Sequence, residues 1–534
     1  MIRDDLASAV HDALVALAVD PLPERIVLER PGRREHGDWS TNVALATAKR
    51  AGRNPRELAT ELVAHLGADL PPHVTSVDLA GPGFVNFHLA PTWLHDVLGE
   101  VVRGGVEGYA RPDLGGGRRV NVEFVSANPT GPVHAGHARG AAHGDALARL
   151  LERTGHDVTR EFYVNDRGVQ MQRFGESLAA RKAGRPVPEG GYLGEYVTEW
   201  AAEMPDDVDP VAWGEDRALA DQRETLAAFG VTYDVWFREL SLVEAGRIDE
   251  TLAELRRLGK VFELDGATWL RATEYGDDKD RVLIKGDGEM TYLLPDIAYH
   301  RDKFSRADRL VNVWGADHHG YVSRMKAAMA ALGHDPAELE VEIVQMVDLL
   351  KDGKPMKLSK RAGNVVELRD IVDEVGADAA RLTYLLQSVD SRQTVDLAEV
   401  ASQGMDNPVF YVQMAHARIH GITRKAAEAG FTRGPLEAAD TSLLVHEREL
   451  DVLRSLSELP DVVRLATEDR APHKVTTWVR ELAGAFHGFY HDCYVVGDGV
   501  SPELTEARLW LVESARIGLS IGLDLLGVSA PESM

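Results

Sequence analysis

The sequence predicts a multidomain α/β protein, and three observations carry that reading. From about residue 118 onward, apolar residues at period two alternate with apolar residues at helical spacing, the pattern of a parallel sheet covered by helices. Past about residue 400 only the helical spacing remains. The 534 residues also exceed one core, at roughly 100–200 residues per domain. Hydrophobic content of 44% and charged content of 27% are those of an ordinary globular protein. The opening MIRDDLASAVHDAL carries acids and no apolar core, so no signal peptide is expected. No run reaches the ~20 apolar residues of a membrane span. A single cysteine, Cys493, excludes an internal disulfide, and a cytoplasmic location fits. The net charge of −26 argues against nucleic-acid binding by bulk charge, although a local basic face can bind within an acidic chain.

Residues 1–110 read as an α+β unit. Ile2, Leu6, Val10, Leu14 and Leu17 mark one amphipathic helix. Asn54, Pro55 and Glu57 form an N-cap, N1 and N3 set that opens a second, through Leu58, Leu62 and Leu66. GPGFVNFHL (81–89) reads as a turn and a strand. Gly115–Gly117 is a joint rather than a phosphate loop, because a strand follows it and no Gly-Lys-Ser/Thr does. Residues 111–390 carry the strand and helix alternation, interrupted near 172–285 by polar, helix-like segments that read as an insertion. Residues 391–534 read as a helical bundle. There, Trp478, Leu482, Phe486 and Phe489 share one face, and Leu509, Val512, Leu519, Leu523 and Leu526 another.

The segment FVSANPTGPVHAGHARG (124–140) sits where a strand becomes a helix. Val120, Val122 and Phe124 alternate before it, the Asn128-Pro129 and Gly131-Pro132 turns fall within it, and Ala141, Ala142, Leu147, Leu150 and Leu151 follow at helical spacing up to Gly155. His134 and His137, three apart, fall on one face of the first turn. A helix start offers unpaired N–H groups and a positive dipole end, both suited to phosphate. Gly136 leaves room for a flat ring against the backbone. Taken alone, the pair is open to three readings: surface histidines, a metal site, or a phosphate site. A structural zinc site wants four ligands, often cysteines.

GKPMKLSKRAGN (353–364) supplies a basic partner. Asp352-Gly353 is a hairpin turn signal, and Lys354, Lys357, Lys360 and Arg361 follow on a loop flanked by Gly353, Pro355 and Gly363. Lysines facing a histidine helix start would clamp a triphosphate and stabilise the charge on departing pyrophosphate.

PVHAGH followed by KLSKR resembles the HIGH and KMSKS signature pair of class I aminoacyl-tRNA synthetases. The flanking block EFVSANPTGPVHAGHARGAAHGDALARLLERTGHDVTREFYVND is similar to that of bacterial arginyl-tRNA synthetases. HGDWSTNVALATA (36–48) and GPGFVNFHL resemble that family's N-terminal domain. GADAARLTYLL (376–386) and NPVFYVQMAHARIH (407–420) resemble its DALR-type anticodon-binding region. The resemblance implies a Rossmann-like parallel-sheet catalytic domain, an α+β N-terminal domain that contacts tRNA and an all-helical C-terminal bundle. The implied reaction joins L-arginine to tRNA(Arg) through an arginyl-adenylate. It consumes ATP, taken as substrate with Mg2+, and releases AMP and pyrophosphate. No protein-bound metal and no membrane partner are expected, and a monomer is.

Carried onto this sequence, His134, His137, Lys357 and Lys360 hold phosphates and drive catalysis. Gly136, Gly315, Asp317 and Ser359 complete the ATP site. A guanidinium is a planar fork of five donors that calls for carboxylates and a flat ring. Glu123, Asn128, Tyr292 and Asp296 match the positions at which the family binds arginine. Three features depart from or add to the pattern. Lys360 is present where many members lack that lysine, which bears on how far activation depends on tRNA. Arg167 and Val169 replace the common Ala and Asn. His318 and His319 form a further histidine group. Tyr411 and His416 are candidates for stacking on tRNA bases, with Arg418, Arg424 and Lys425 as local cations. Cysteinyl-tRNA synthetases share a DALR-like domain but use a cysteine-rich zinc site that this chain cannot build. A tRNA-independent adenylyltransferase and a synthetase-like tRNA-binding protein are the alternatives, and ATP–pyrophosphate exchange separates a binding protein from an enzyme.

Overall fold

The computed structural model describes residues 2–356 and 366–534. In chain order the strands are Trp39–Thr41 (β1), Val74–Ala80 (β2), Phe84–Leu89 (β3), Arg119–Glu123 (β4), Asp157–Val164 (β5), Val235–Arg238 (β6), Val261–Leu264 (β7), Ala267–Leu270 (β8), Arg281–Ile284 (β9), Arg309–Gly315 (β10), Leu339–Val344 (β11), Val347–Lys351 (β12), Lys354–Pro355 (β13) and Gln393–Asp396 (β14). Two compact units divide the chain.

The first unit comprises Met1–Gly105, Thr423–Ser457 and Gly488–Ala515. Its sheet has the order β1-β3-β2 and is antiparallel. Leu6, Val10 and Leu14 of helix Ile2–Ala16 and Leu58, Leu62 and Leu66 of helix Pro55–Ala68 are buried with Phe87 in one core. The second of these helices starts as its sequence dictates: the Asn54 side chain accepts from the Arg56 and Glu57 N–H groups, ahead of Pro55 at N1.

The second unit comprises Val106–Ile422, Glu458–His487 and Arg516–Met534. Its main sheet has the order β11-β10-β4-β5-β6 and is parallel throughout. The chain steps from β4 to β5 and β6 in one direction and from β10 to β11 in the other. The crevice between β4 and β10 at their carboxyl ends is therefore a topological switch point, where open α/β sheets bind ligands. Helix Ala138–Arg153 packs against β4 at Gly144, where a Cβ would lie 2.3 Å from the Phe124 ring. The helix ends as expected, with Gly155 at φ +83.

The 172–285 stretch is less uniformly helical than its composition suggested. It contributes β6, the edge strand of the main sheet, and β7-β8-β9, a separate antiparallel sheet. The short β6 (VWFR) has no clean alternation to mark it, and only its pairing with β5 makes it a strand. The Asp352-Gly353 signal does make a hairpin between β12 and β13, with φ of +53 and +73 at the two turn residues. In the C-terminal region the apolar positions are buried, from Trp478, Leu482, Phe486 and Phe489 to Leu509, Val512, Leu519, Leu523 and Leu526. Among the described residues no helix is long and apolar enough to cross a membrane.

Candidate active site

The two histidines lie in the turn that precedes the helix, rather than within its first turn. His134 is the N-cap of a 3₁₀ turn Ala135–His137, and helix Ala138–Arg153 follows directly. The rings stack, with centroids 3.8 Å apart and 27° between planes. Nδ1 of His134 accepts from the Gly136 N–H at 3.1 Å, so a neutral ring carries its proton on Nε2. Gly136 is obligatory here: a Cβ would stand 2.9 Å from Nδ1 of that ring. Two steps on, the Arg139 guanidinium is buried and donates to the carbonyls of Gln345 (3.3 Å), Ser388 (2.7 Å) and Ser391 (2.6 Å). That ties the histidine turn to the carboxyl end of β11.

Lys357, Ser359 and Lys360 lie outside the described residues. The chain on either side of them is anchored. The Met356 N–H donates to Leu349 O at 2.9 Å, beside the β12–β13 hairpin. The Ala135 N–H donates to Val366 O at 2.9 Å and the Leu368 N–H to Val133 O at 2.8 Å. A β-bridge pairs His134 with Glu367. The segment that follows the lysines is thus hydrogen-bonded to the histidine turn itself. Gly315 closes β10 at its carboxyl end, and a Cβ there would lie 2.7 Å from Oδ1 of Asp317, whose carboxylate is exposed.

Carboxylates gather on the other side of the switch point. Glu123 ends β4 and is only 6% exposed, so it is not a strand-edge surface charge. Its Oε2 accepts from Lys303 Nζ at 2.6 Å and its Oε1 from Ser126 Oγ at 3.0 Å. Lys303 is fully buried and also donates to Asn312 Oδ1 at 2.7 Å. Asp296 lies one turn inside helix Leu293–Arg306, whose N-cap is Tyr292, so Asp296 is not a cap either. Its Oδ2 accepts from the Tyr321 hydroxyl at 2.6 Å. Burial pushes the Asp296 carboxyl up to about 7; the Tyr321 bond opposes this, while Glu239 and Glu123 add to it. Glu239 opens the helix after β6. Burial, with the charges of Glu239, Asp296 and Glu123, pushes the ionisation of the Tyr163 hydroxyl upward. A buried carboxyl whose ionisation its neighbours discourage marks a place that a cation would relieve.

Of the expected arginine contacts, Glu123 and Asp296 therefore converge electrostatically. Asn128 is held separately, its side-chain amide donating to Gln170 Oε1 at 2.8 Å and its backbone carbonyl accepting from Gln222 Nε2 at 3.0 Å. Tyr292 does not join them in this structure, its side chain being 92% exposed. Sequence reading missed Lys303, Glu239, Tyr163 and Tyr321. Lys303 was findable, because it falls two helical turns after Asp296 and so shares its face. His416, offered for base stacking, is buried, with Nδ1 bonded to Pro531 O at 2.8 Å and Nε2 at 3.3 Å from Ser520 Oγ. Tyr411 lies with its ring at an edge to His487, centroids 4.6 Å apart. Among the described residues no group of three or more His, Cys, Asp or Glu is placed to hold a metal, and His318 and His319 lie exposed at the end of β10.

A histidine turn at the head of a helix, facing the switch point of a parallel sheet beside a lysine-bearing hairpin, defines the catalytic domain of a class I aminoacyl-tRNA synthetase. The family described as the class I (R) tRNA synthetase catalytic domain matches residues 106–182 and 217–421. The arginyl-tRNA synthetase N-terminal domain matches 1–89, and the DALR anticodon-binding domain matches 412–534. The chain is 47% identical over 552 residues to an arginine–tRNA ligase of Frankia alni, covering 99% of each chain. It is 45% identical over 554 residues to that of Geobacillus thermodenitrificans, covering 100% of this chain and 98% of the relative. The crystal structure of Thermus thermophilus arginyl-tRNA synthetase shares the fold over 100% of both chains, with a TM-score of 0.78 at 24% identity. The chain belongs to the arginyl-tRNA synthetase family.

Proposed function

We propose that the chain works as an arginine–tRNA ligase with its two substrates on opposite sides of the β4–β10 crevice. Asp296, Glu123 and Asn128 take the arginine, and Tyr292 closes over it. His134 and His137 hold the phosphates of ATP, which enters with Mg2+ as substrate. Gly136 gives the phosphates access to the backbone, and Gly315 and Asp317 hold the ribose at the end of β10. The arginine carboxylate attacks the α-phosphorus, a new P–O bond forms, and the bond to pyrophosphate breaks. His134 Nε2–H and the Lys357 and Lys360 ammonium groups stabilise the negative charge that gathers on the departing oxygens, with Ser359 shaping their loop. A terminal ribose hydroxyl of tRNA(Arg) then takes the arginyl group and AMP leaves.

The observation that carries this reading is the pairing of a buried carboxylate cluster with a histidine turn at one switch point. The first suits a guanidinium and the second a phosphate chain. We further propose that residues 1–110 contact tRNA, that 111–390 activate arginine, and that 391–534 read the anticodon, in a cytoplasmic monomer. Arginine-dependent ATP–pyrophosphate exchange, with and without tRNA and with other amino acids as controls, is the test. Exchange with arginine alone supports the pocket, and its dependence on tRNA measures what Lys360 contributes. No exchange even with tRNA would leave a tRNA-binding protein as the better reading.

A further inference from the structure

Arg167 lies in the loop after β5, at the carboxyl edge of the sheet, and none of the roles above uses it. Its Nη1 stands 3.2 Å from Oε1 of Glu239, with side chains 32% and 13% exposed. Glu239 opens the helix Glu239–Glu244, which packs against helix Leu293–Arg306 carrying Asp296, and its charge reaches Asp296. The neighbouring residues hold this backbone by other means. Arg238 Nε donates to Asp166 Oδ2 at 2.9 Å and the Leu240 N–H to Asp166 Oδ1 at 2.8 Å, while Arg238 also pairs with Glu215. The loop and the start of the helix after β6 are therefore already joined without Arg167.

What Arg167 adds is charge at one carboxylate of the pocket. Lys303 neutralises Glu123 from below, and Arg167 neutralises Glu239 from the rim. Asp296 is left as the carboxylate whose described partner is a neutral hydroxyl. The cluster then carries a single unbalanced negative charge, which one guanidinium cancels. We infer that Arg167 is a positioning residue that acts through Glu239, an internal guanidinium that competes with the substrate's for this carboxylate and so weakens arginine binding to a level that allows release. This rests on the arginine pocket proposed above.

Exchange kinetics at pH 8 and low salt test it, with arginine as substrate and guanidinium chloride as competing probe. R167Q should lower the arginine KM and the guanidinium Ki by about three- to tenfold, leaving the ATP KM unchanged, and added salt should shrink the difference. R167K, which keeps the charge, should stay near the parent. In an E239Q background, R167Q should no longer change the arginine KM. An unchanged or raised arginine KM in R167Q, or a shift in ATP KM of equal size, overturns the inference. D296N separates the two layers: if it leaves arginine KM and guanidinium Ki unaltered, the pocket itself is wrong. If D296N raises both while R167Q lowers neither, only the role of Arg167 fails.

Discussion

The proposed site has a nucleotide half and an arginine half, and the two are built by different means. The nucleotide half is nearly continuous in sequence, with Val133–His137 forming the turn and residues 366–368 hydrogen-bonding along it. Its chemistry comes from backbone geometry and two rings that one glycine allows to stack. The arginine half draws single side chains from the end of β4, the loop after β5, the start of the helix after β6, helix Leu293–Arg306 and Tyr321. Glu123 is buried and Glu239 and Asp296 partly so, and each has a partner from elsewhere: Lys303 for Glu123, Arg167 for Glu239, the Tyr321 hydroxyl for Asp296. Phosphate can be met by N–H groups that any helix start exposes. A guanidinium held in a desolvated site needs carboxylates, and buried carboxylates are stable only when their surroundings are arranged around them.

That contrast predicts that removing a cation which pairs a buried carboxylate in the arginine half costs stability as well as binding, while substitutions in the nucleotide half cost rate alone. The largest effect is expected for Lys303→Met, which leaves Glu123 buried and unpaired at a cost of about 3–5 kcal/mol. Urea unfolding measures it, and adding Glu123→Gln should restore most of the loss. An unchanged midpoint would mean that the pair is not a support of the pocket. His137→Ala should lower the exchange rate by about a hundredfold, the scale of one lost transition-state donor, with tRNA affinity and unfolding midpoint near the parent. Weakened tRNA binding with normal chemistry would move the histidine out of the site.

Asp296→Asn should raise the arginine KM by roughly 10- to 150-fold, a charged hydrogen bond being worth about 1.5–3 kcal/mol, while the ATP KM changes little. Equal changes would make Asp296 structural. The same carboxyl gives a pH signature. Burial raises it to about 7, so the folded chain binds its proton more tightly than the unfolded chain does. Below pH 7 it is increasingly neutral and attracts a guanidinium poorly. kcat/KM for arginine should therefore fall by up to about tenfold per unit below that point and level off above it, and Asp296→Asn should flatten this limb. For stability the sign reverses: the ionised carboxyl is penalised only in the folded state, so the penalty is absent in acid, grows as pH rises from about 4 to about 7, and stays constant above that. Asp296→Asn should accordingly be the more stable protein at pH 8 and equal to the parent near pH 3. Gly136→Ala is the mildest case, displacing the His134 ring and slowing exchange by roughly tenfold. A normal rate would show that the stacked rings are not the working arrangement.

By itself the sequence determined whatever local chemistry encodes. Proline and glycine placed the turn at 128–132, Asn54-Pro55 the start of one helix, Asp352-Gly353 a hairpin, and the His-x-x-His spacing two stacked rings ahead of another helix. Each depends on neighbours within a few residues, and so survives any tertiary arrangement. Only the tertiary structure decided that Glu123 is central and buried rather than at an edge, that β6 joins the main sheet from within an apparent insertion, that His416 is packed rather than presented, and that Tyr321 bonds Asp296 while Lys303 and Glu239 act on it through charge. These are matters of pairing and desolvation. A charged residue reads the same on paper whether it faces water or another charge, and which of the two it faces is fixed by segments as far apart as the 180 residues between Glu123 and Lys303.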